Sequence, residues 1–284
     1  MINVEAIDSV VSQWGEGALW HEGNLLYVDI ENHLIHQYSP STGETKNWNV
    51  GQRVGTVVPT ESGKLLWAGD QGFYSLDPAT GESTALGDPE PEKANNRFND
   101  GKVSPDGIFF AGTISLVKEA GDAALYQLTP ENGVEEVVGN VTNSNGIAWT
   151  ADGKTCYYID TPRRQVLAFD YANGTLTNER VAVDTSAIDA SPDGMAIDEN
   201  DQIWVAFCHG ACVTQYNPTT GEELQRVAIP AMETTSCAFG GENLDELYIT
   251  TGIHKSEVEA DAGKLFVVRG LGVKGQPANV AKGY

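Results

Sequence analysis

Glu16, Thr56, Asn99, Asn145, Asp193 and Ser236 recur in phase along the chain, each about a dozen positions ahead of an aromatic-rich apolar segment. Brought together, two carboxylates and an amide oxygen make a hard-oxygen site. Calcium, magnesium and manganese favour such donors, and zinc and iron accept them. Three protein ligands leave coordination positions for water and substrate, so the chemistry on offer is Lewis-acid activation rather than structural pinning. Four of the polar residues have a glycine beside them or two positions on, in Gly15-Glu16-Gly17, Asn99-Asp100-Gly101, Ser144-Asn145-Gly146 and Pro192-Asp193-Gly194. Glycine permits the close backbone approach that strands crowded around a channel require. Taken singly, these phrases read as ordinary turns. Their common phase is what argues for one site.

Other residues are weighed against that site. Arg97, two positions before Asn99, offers a rigid guanidinium fork to sugar or carboxylate oxygens; in so acidic a chain, ion pairing is the alternative. His21, His33, His36, His209 and His254 show no pairwise spacing typical of metal ligation. His21 and His36 read as satisfied strand or loop residues, whereas His254 lies in a long loop that could touch substrate. Cys208 and Cys212 flank His209-Gly210-Ala211, which reads as a hairpin; turn and burial account for the pair without a zinc or redox role. Together with Cys156 and Cys237 they are too scattered for a disulfide framework. The chain has no Gly-x-Ser-x-Gly elbow and no phosphate-binding glycine loop, and no cysteine is read as placed with a plausible base for nucleophilic catalysis.

The elements that must position these residues are strands. The apolar segments centre on Tyr27, Trp67, Phe110, Tyr158, Trp204 and Tyr248, at a period of roughly 40 to 48 residues, which is the length of a propeller blade. In most repeats a second apolar segment follows and closes in a turn, and four of these turns read Pro-x-x-Gly. Helical periodicity is absent, and β-branched and aromatic residues alternate between short turns. The expected fold is all-β: a six-bladed β-propeller of four-stranded antiparallel blades, one domain over residues 1–284. Residues Ile2 to Val10 are expected to supply a strand to the last blade and so remove an exposed edge. That blade carries an insertion, HKSEVEADAGK from His254, expected to overhang one face. Pro89 to Lys93 reads as a stiff loop into the third blade.

A formal charge of −23 and a pI near 4.4 argue against nucleic acid or an anionic membrane as partner. The start of the chain lacks the basic and apolar regions of a signal peptide, and no stretch is long enough to span a bilayer. The expectation is a cytoplasmic protein, monomeric or weakly homo-oligomeric, acting on a small molecule.

GEGALW at Gly15, NNRFNDGKV at Asn95, SNGIAW at Ser144, YYID at Tyr157, PDGMAID at Pro192, TSCAFGG at Thr235 and GLGVKG at Gly270 occur in this order. The series resembles the family of regucalcin (senescence marker protein), the gluconolactonases and luciferin-regenerating enzyme, over nearly the whole chain. The resemblance implies a six-bladed propeller that holds one divalent metal near its axis and hydrolyses sugar lactones. It implies Glu16, Asn145 and Asp193 as metal ligands, Asp193 also as the base, and Arg97 and Asn99 as substrate contacts. Family lactonases carry an acidic substrate contact just after the third-blade strand. Here direct alignment places Val117 at that point, and Glu119 supplies the contact if the loop is displaced. Two other readings use the same oxygens: a calcium- or small-ligand-binding propeller without turnover, and a metal-dependent hydrolase of phosphotriesters or other esters.

Overall fold

The computed structural model describes residues 1–254 and 259–284. They form six four-stranded antiparallel sheets arranged as propeller blades. The innermost strands are Gly15–His21, Val54–Pro59, Asn96–Val103, Ser144–Trp149, Ser191–Ile197 and Thr234–Gly240, for blades 1 to 6 in order. Blades 1 to 5 are simple meanders. Blade 6 takes its outermost strand from the start of the chain: Asn3–Ile7 pairs with Leu265–Arg269, so the ends of the sequence close the ring as expected. Among the described residues, no helix is long and apolar enough to cross a membrane.

The Pro-x-x-Gly phrases behave as the sequence implies. Gly43, Gly81, Gly133 and Gly221 all have φ between 71° and 77°, a left-handed conformation that glycine adopts without Cβ strain. Three of these glycines donate the same backbone bond: Gly43 to Ser39, Gly81 to Asp77 and Gly221 to Asn217, each at 2.8 Å.

Apolar faces pack between adjacent blades. Phe73 of blade 2 meets Phe98 of blade 3 edge-on at 4.5 Å and Phe109 at 5.4 Å, and Trp67, Trp204 and Phe207 are fully buried. Near the axis the blades are stitched by polar bonds. Thr56 Oγ1 donates to Gly101 O (2.8 Å), Asn99 Nδ2 to Ser144 O (2.8 Å), Thr161 Oγ1 to Pro192 O (2.9 Å) and Thr235 Oγ1 to Gly15 O (2.5 Å). Thr56 and Ser236, two of the six in-phase residues, therefore belong to the scaffold. Thr56 spends its hydroxyl on blade 3, and Ser236 packs against Gly194, where a Cβ would come within 2.3 Å of its Oγ.

The expected loop at Pro89 to Lys93 is present and is held by Glu90, which accepts from Tyr126 Oη (2.8 Å), Thr113 Oγ1 (3.1 Å) and Asn96 Nδ2 (3.0 Å). The insertion at His254 lies partly outside the described residues. His36 differs from expectation: it is fully buried and stacked on Tyr27 at 4.7 Å, with no hydrogen-bond partner for either ring nitrogen. Burial lowers its pKa to about 4, so it stays neutral and serves as packing.

Candidate metal centre

Every innermost strand breaks register at or next to its in-phase polar residue. In blade 4, Ser144 opposes Asp160 and Ile147 opposes Tyr158, leaving Asn145 and Gly146 in a bulge. In blade 5, Pro192 opposes Phe207 and Met195 opposes Val205, leaving Asp193 and Gly194. Blade 3 bulges at Asn99, and blade 1 just after Glu16. A bulge re-aims side chains that regular pleating would send into the sheet faces. Pro192, which has no N–H for a ladder, is tolerated there. Gly146 and Gly194 let blades approach: a Cβ on Gly146 would lie 2.6 Å from Met195 Cβ, and one on Gly194 would lie 2.3 Å from Ser236 Oγ.

The bulged residues converge. Glu16, Asn99, Asn145 and Asp193 line one cavity of about 740 Å³, with Arg97 on the same wall. Glu16, Asn145 and Asp193 are 2%, 3% and 6% exposed, so each donor is held in a low-dielectric setting. Asn145 Nδ2 is committed to Thr161 Oγ1 at 2.8 Å, while its Oδ1 is buried without a donor. Asp100, 2% exposed, receives Gly101 N at 2.7 Å and has its other oxygen unpartnered.

The carboxyls strain against one another. Burial pushes Glu16 well above the usual carboxylate range, and Asp193 and Asp100 push it further. Asp193 is likewise raised, first by burial and then by Asp100, against the opposing hydrogen bonds of Glu16 and Asn145. Asp100 is raised by burial, opposed by Lys102. Among the described residues, neither Glu16 nor Asp193 has a Lys or Arg at ion-pair distance. Buried carboxylates of this kind are stable when they coordinate a metal. The orphaned Asn145 oxygen beside two uncompensated carboxyls therefore fits a divalent cation bound by oxygen donors.

Arg97 is buried, which lowers its pKa to about 10 and leaves it charged at neutral pH. Its Nη1 donates to Phe98 O (2.8 Å) and Asn99 Oδ1 (2.9 Å), and its Nε is unpartnered. Asn99 Nδ2 bonds Ser144 O at 2.8 Å and Asn143 Oδ1 at 3.2 Å. Asn99 thus holds Arg97 in place as well as lining the cavity.

Residues 14–253 match the SMP-30/Gluconolactonase/LRE-like region. The chain belongs to the SMP-30/gluconolactonase/LRE-like family. It is 40% identical to regucalcin of Danio rerio over 287 residues, covering 97% of each chain, and 35% identical to regucalcin of Homo sapiens, covering 96% of each. A solved luciferin-regenerating enzyme superposes with a TM-score of 0.92 at 30% identity, covering 99% of this chain and 100% of that one.

The third-blade loop holds Glu119 away from the cavity. Val117 and Glu119 are exposed and stand apart from the cavity lining, whereas Lys118 and Ala120 border it. Lys118 adopts φ 57°, which turns the chain at this point. Glu119 donates its backbone N–H to Ser115 Oγ at 3.2 Å. His254 is exposed and packs edge-on against His209 at 5.9 Å, and His209 lines the cavity.

Sequence reasoning missed two features. Asp100, read from the sequence only as the next proton acceptor after Asp193, also raises the pKa of both Glu16 and Asp193, an electrostatic role the sequence did not show. Cys208, His209 and Glu233 also form a compact cluster. Its only sequence signal was a cysteine next to a histidine, because Glu233 arrives from the next blade. Cys212 takes no part in it, and all four cysteines are free and buried.

Proposed function

We propose that the protein is a metal-dependent lactonase that opens a sugar-type or similar small lactone to its hydroxy acid. The observation that carries this reading is the orphaned Asn145 Oδ1 beside buried Glu16 and Asp193, in a cavity whose wall also presents Arg97. Family membership supports it, since gluconolactonases give the family part of its name.

Glu16, Asn145 and Asp193 would hold the cation. When bound, a divalent ion supplies Lewis-acid polarisation of an ester carbonyl and charge stabilisation worth several kcal/mol. The side chains do the rest. Asp193 takes a proton from the attacking water and returns it to the ring oxygen as the C–O bond breaks, a contribution of about 10²- to 10⁴-fold. Arg97, whose side chain borders the cavity, donates to substrate oxygens, and Asn99 fixes its orientation, so the lactone is held aligned for attack. Burial around the ligands keeps bulk water from screening these charges.

The test is a protein stripped by chelator and reloaded separately with calcium, magnesium, manganese, zinc or ferrous iron. Each form is assayed on sugar lactones, aliphatic lactones and phosphotriesters. Lactone hydrolysis should vanish on stripping and return with at least one metal. Full lactone turnover in exhaustively stripped protein would refute the metal's role. Binding of calcium with no turnover of any lactone would leave a ligand-binding propeller, and turnover confined to phosphotriesters would reassign the substrate class.

A further inference from the structure

Cys208, His209 and Glu233 bring a sulfur, an imidazole nitrogen and a carboxylate oxygen within 4.8 Å of one another. Cys208 Sγ lies 3.0 Å from Glu233 Oε2, and His209 Nδ1 lies 2.8 Å from Oε2 and 2.9 Å from Oε1. Three local features build the cluster. Cys208 ends the second strand of blade 5, Ile203–Cys208. His209 opens the hairpin that follows, with φ 65°, a left-handed conformation uncommon for a side chain without special cause. Glu233 immediately precedes the innermost strand of blade 6 and forms an isolated bridge with Cys208.

The cluster leaves a charge poorly compensated. Glu233 is 1% exposed, yet among the described residues its one ion-pair partner is His209, whose ring is 53% exposed. The remaining contacts are the Cys208 thiol and the His209 backbone N–H at 3.1 Å, and a thiol is a weak donor. A buried carboxylate costs several kcal/mol unless well paired. Cys208 and His209 line the same cavity as Glu16 and Asp193, so the cluster is reachable from solvent.

The donor types differ from those of the first site. Glu16, Asn145 and Asp193 present only oxygen, which suits hard cations. Sulfur, imidazole and carboxylate together suit a borderline-soft ion, and zinc takes these ligands in tetrahedral geometry. We propose that Cys208, His209 and Glu233 form a second cation site that takes zinc, with its fourth coordination position open to the cavity. On binding, the Cys208 thiol proton leaves to solvent and the metal takes its place against Glu233. The ion would bridge blades 5 and 6, where the Cys208–Glu233 contact already joins them.

Cobalt(II) is the probe, because its bond to thiolate gives a charge-transfer absorption that an all-oxygen site cannot produce. Reduced, chelator-stripped full-length protein is saturated with calcium and then titrated with cobalt. One equivalent should develop the thiolate-to-cobalt band with intense visible bands of tetrahedral type, and one equivalent of zinc should abolish both. Cys208→Ser should remove the charge-transfer band, and Cys212→Ser should retain it. His209→Ala, at a half-exposed position that leaves the core intact, should weaken cobalt binding by more than the roughly 10- to 100-fold typical of losing an outer-shell contact. Asp193→Asn should keep the band, since its carboxylate belongs to the other site. No band in folded, calcium-binding wild type, or a band that survives Cys208→Ser, overturns the proposal.

Discussion

Asp193 is assigned two duties, ligand and base, and they separate on substitution. Asp193→Asn keeps a side-chain oxygen for a cation and removes the carboxylate that accepts a proton. At saturating metal the variant should lose on the order of 10²-fold in kcat, about 3 kcal/mol of barrier, with weakened but measurable metal binding. Recovery of nearly full kcat at high metal would make Asp193 a ligand only and pass the proton to Asp100, whose Oδ2 is unpartnered. Glu16, Asn99, Asn145 and Asp193 were legible because they repeat in phase with the strands. Thr56 and Ser236 repeat equally well and yet serve the scaffold, because phase fixes the strand position but not whether a hydroxyl points to the channel or to the next blade. The contact expected at Glu119 depended on a loop path, and loop paths are set by local turns such as the one at Lys118 rather than by the repeat.

At the scale of elements, the strands and their turns followed from alternation and from Pro-x-x-Gly, while the bulges did not. Pro192-Asp193-Gly194 and Ser144-Asn145-Gly146 have the composition of turns, yet they lie inside strands. Packing between blades outweighs the local preference: Gly146 and Gly194 admit the neighbouring blade, and each bulge absorbs the extra residue. The loop before blade 3 gives a test of how side chains fix an element. Glu90 is the common acceptor of Tyr126, Thr113 and Asn96, all on strands of blade 3. Glu90→Ala should leave the Tyr126 hydroxyl without its acceptor, while Thr113 and Asn96 keep Ala124 O and Asp122 O, and should cost about 2 kcal/mol, read as a lowered denaturation midpoint at unchanged slope. Glu90→Gln, which keeps an acceptor oxygen, should recover part of the loss. Equal stability of wild type and Glu90→Ala would show that the loop is held without the Glu90 carboxylate, by its backbone and by Lys93 on Asp122.

The whole ring concentrates charge at its axis. A chain with net charge −23 places Glu16, Asp100 and Asp193 in mutual repulsion, while closure by Asn3–Ile7 prevents the blades from spreading to relieve it. Without a cation, these carboxyls have folded pKa values above the ordinary 3.8 to 4.5 that they regain on unfolding. The folded state then binds more protons than the unfolded state across the interval between those values. Stability from these groups is therefore complete below the unfolded pKa and is lost as pH rises through the folded one. A bound cation reverses the sign, because ionised ligands are what it binds, and its stabilisation grows with pH. The comparison that isolates the effect sets stripped wild type against stripped Asp193→Asn, since both share every surface carboxylate. The variant should melt higher than wild type, by a margin that widens as pH rises from about 4 toward neutrality. Added calcium should invert the order, with wild type above the variant at neutral pH. A stripped variant that melts below stripped wild type across the whole range would mean that Asp193 is already compensated by the protein, and that the axis was not built around a cation.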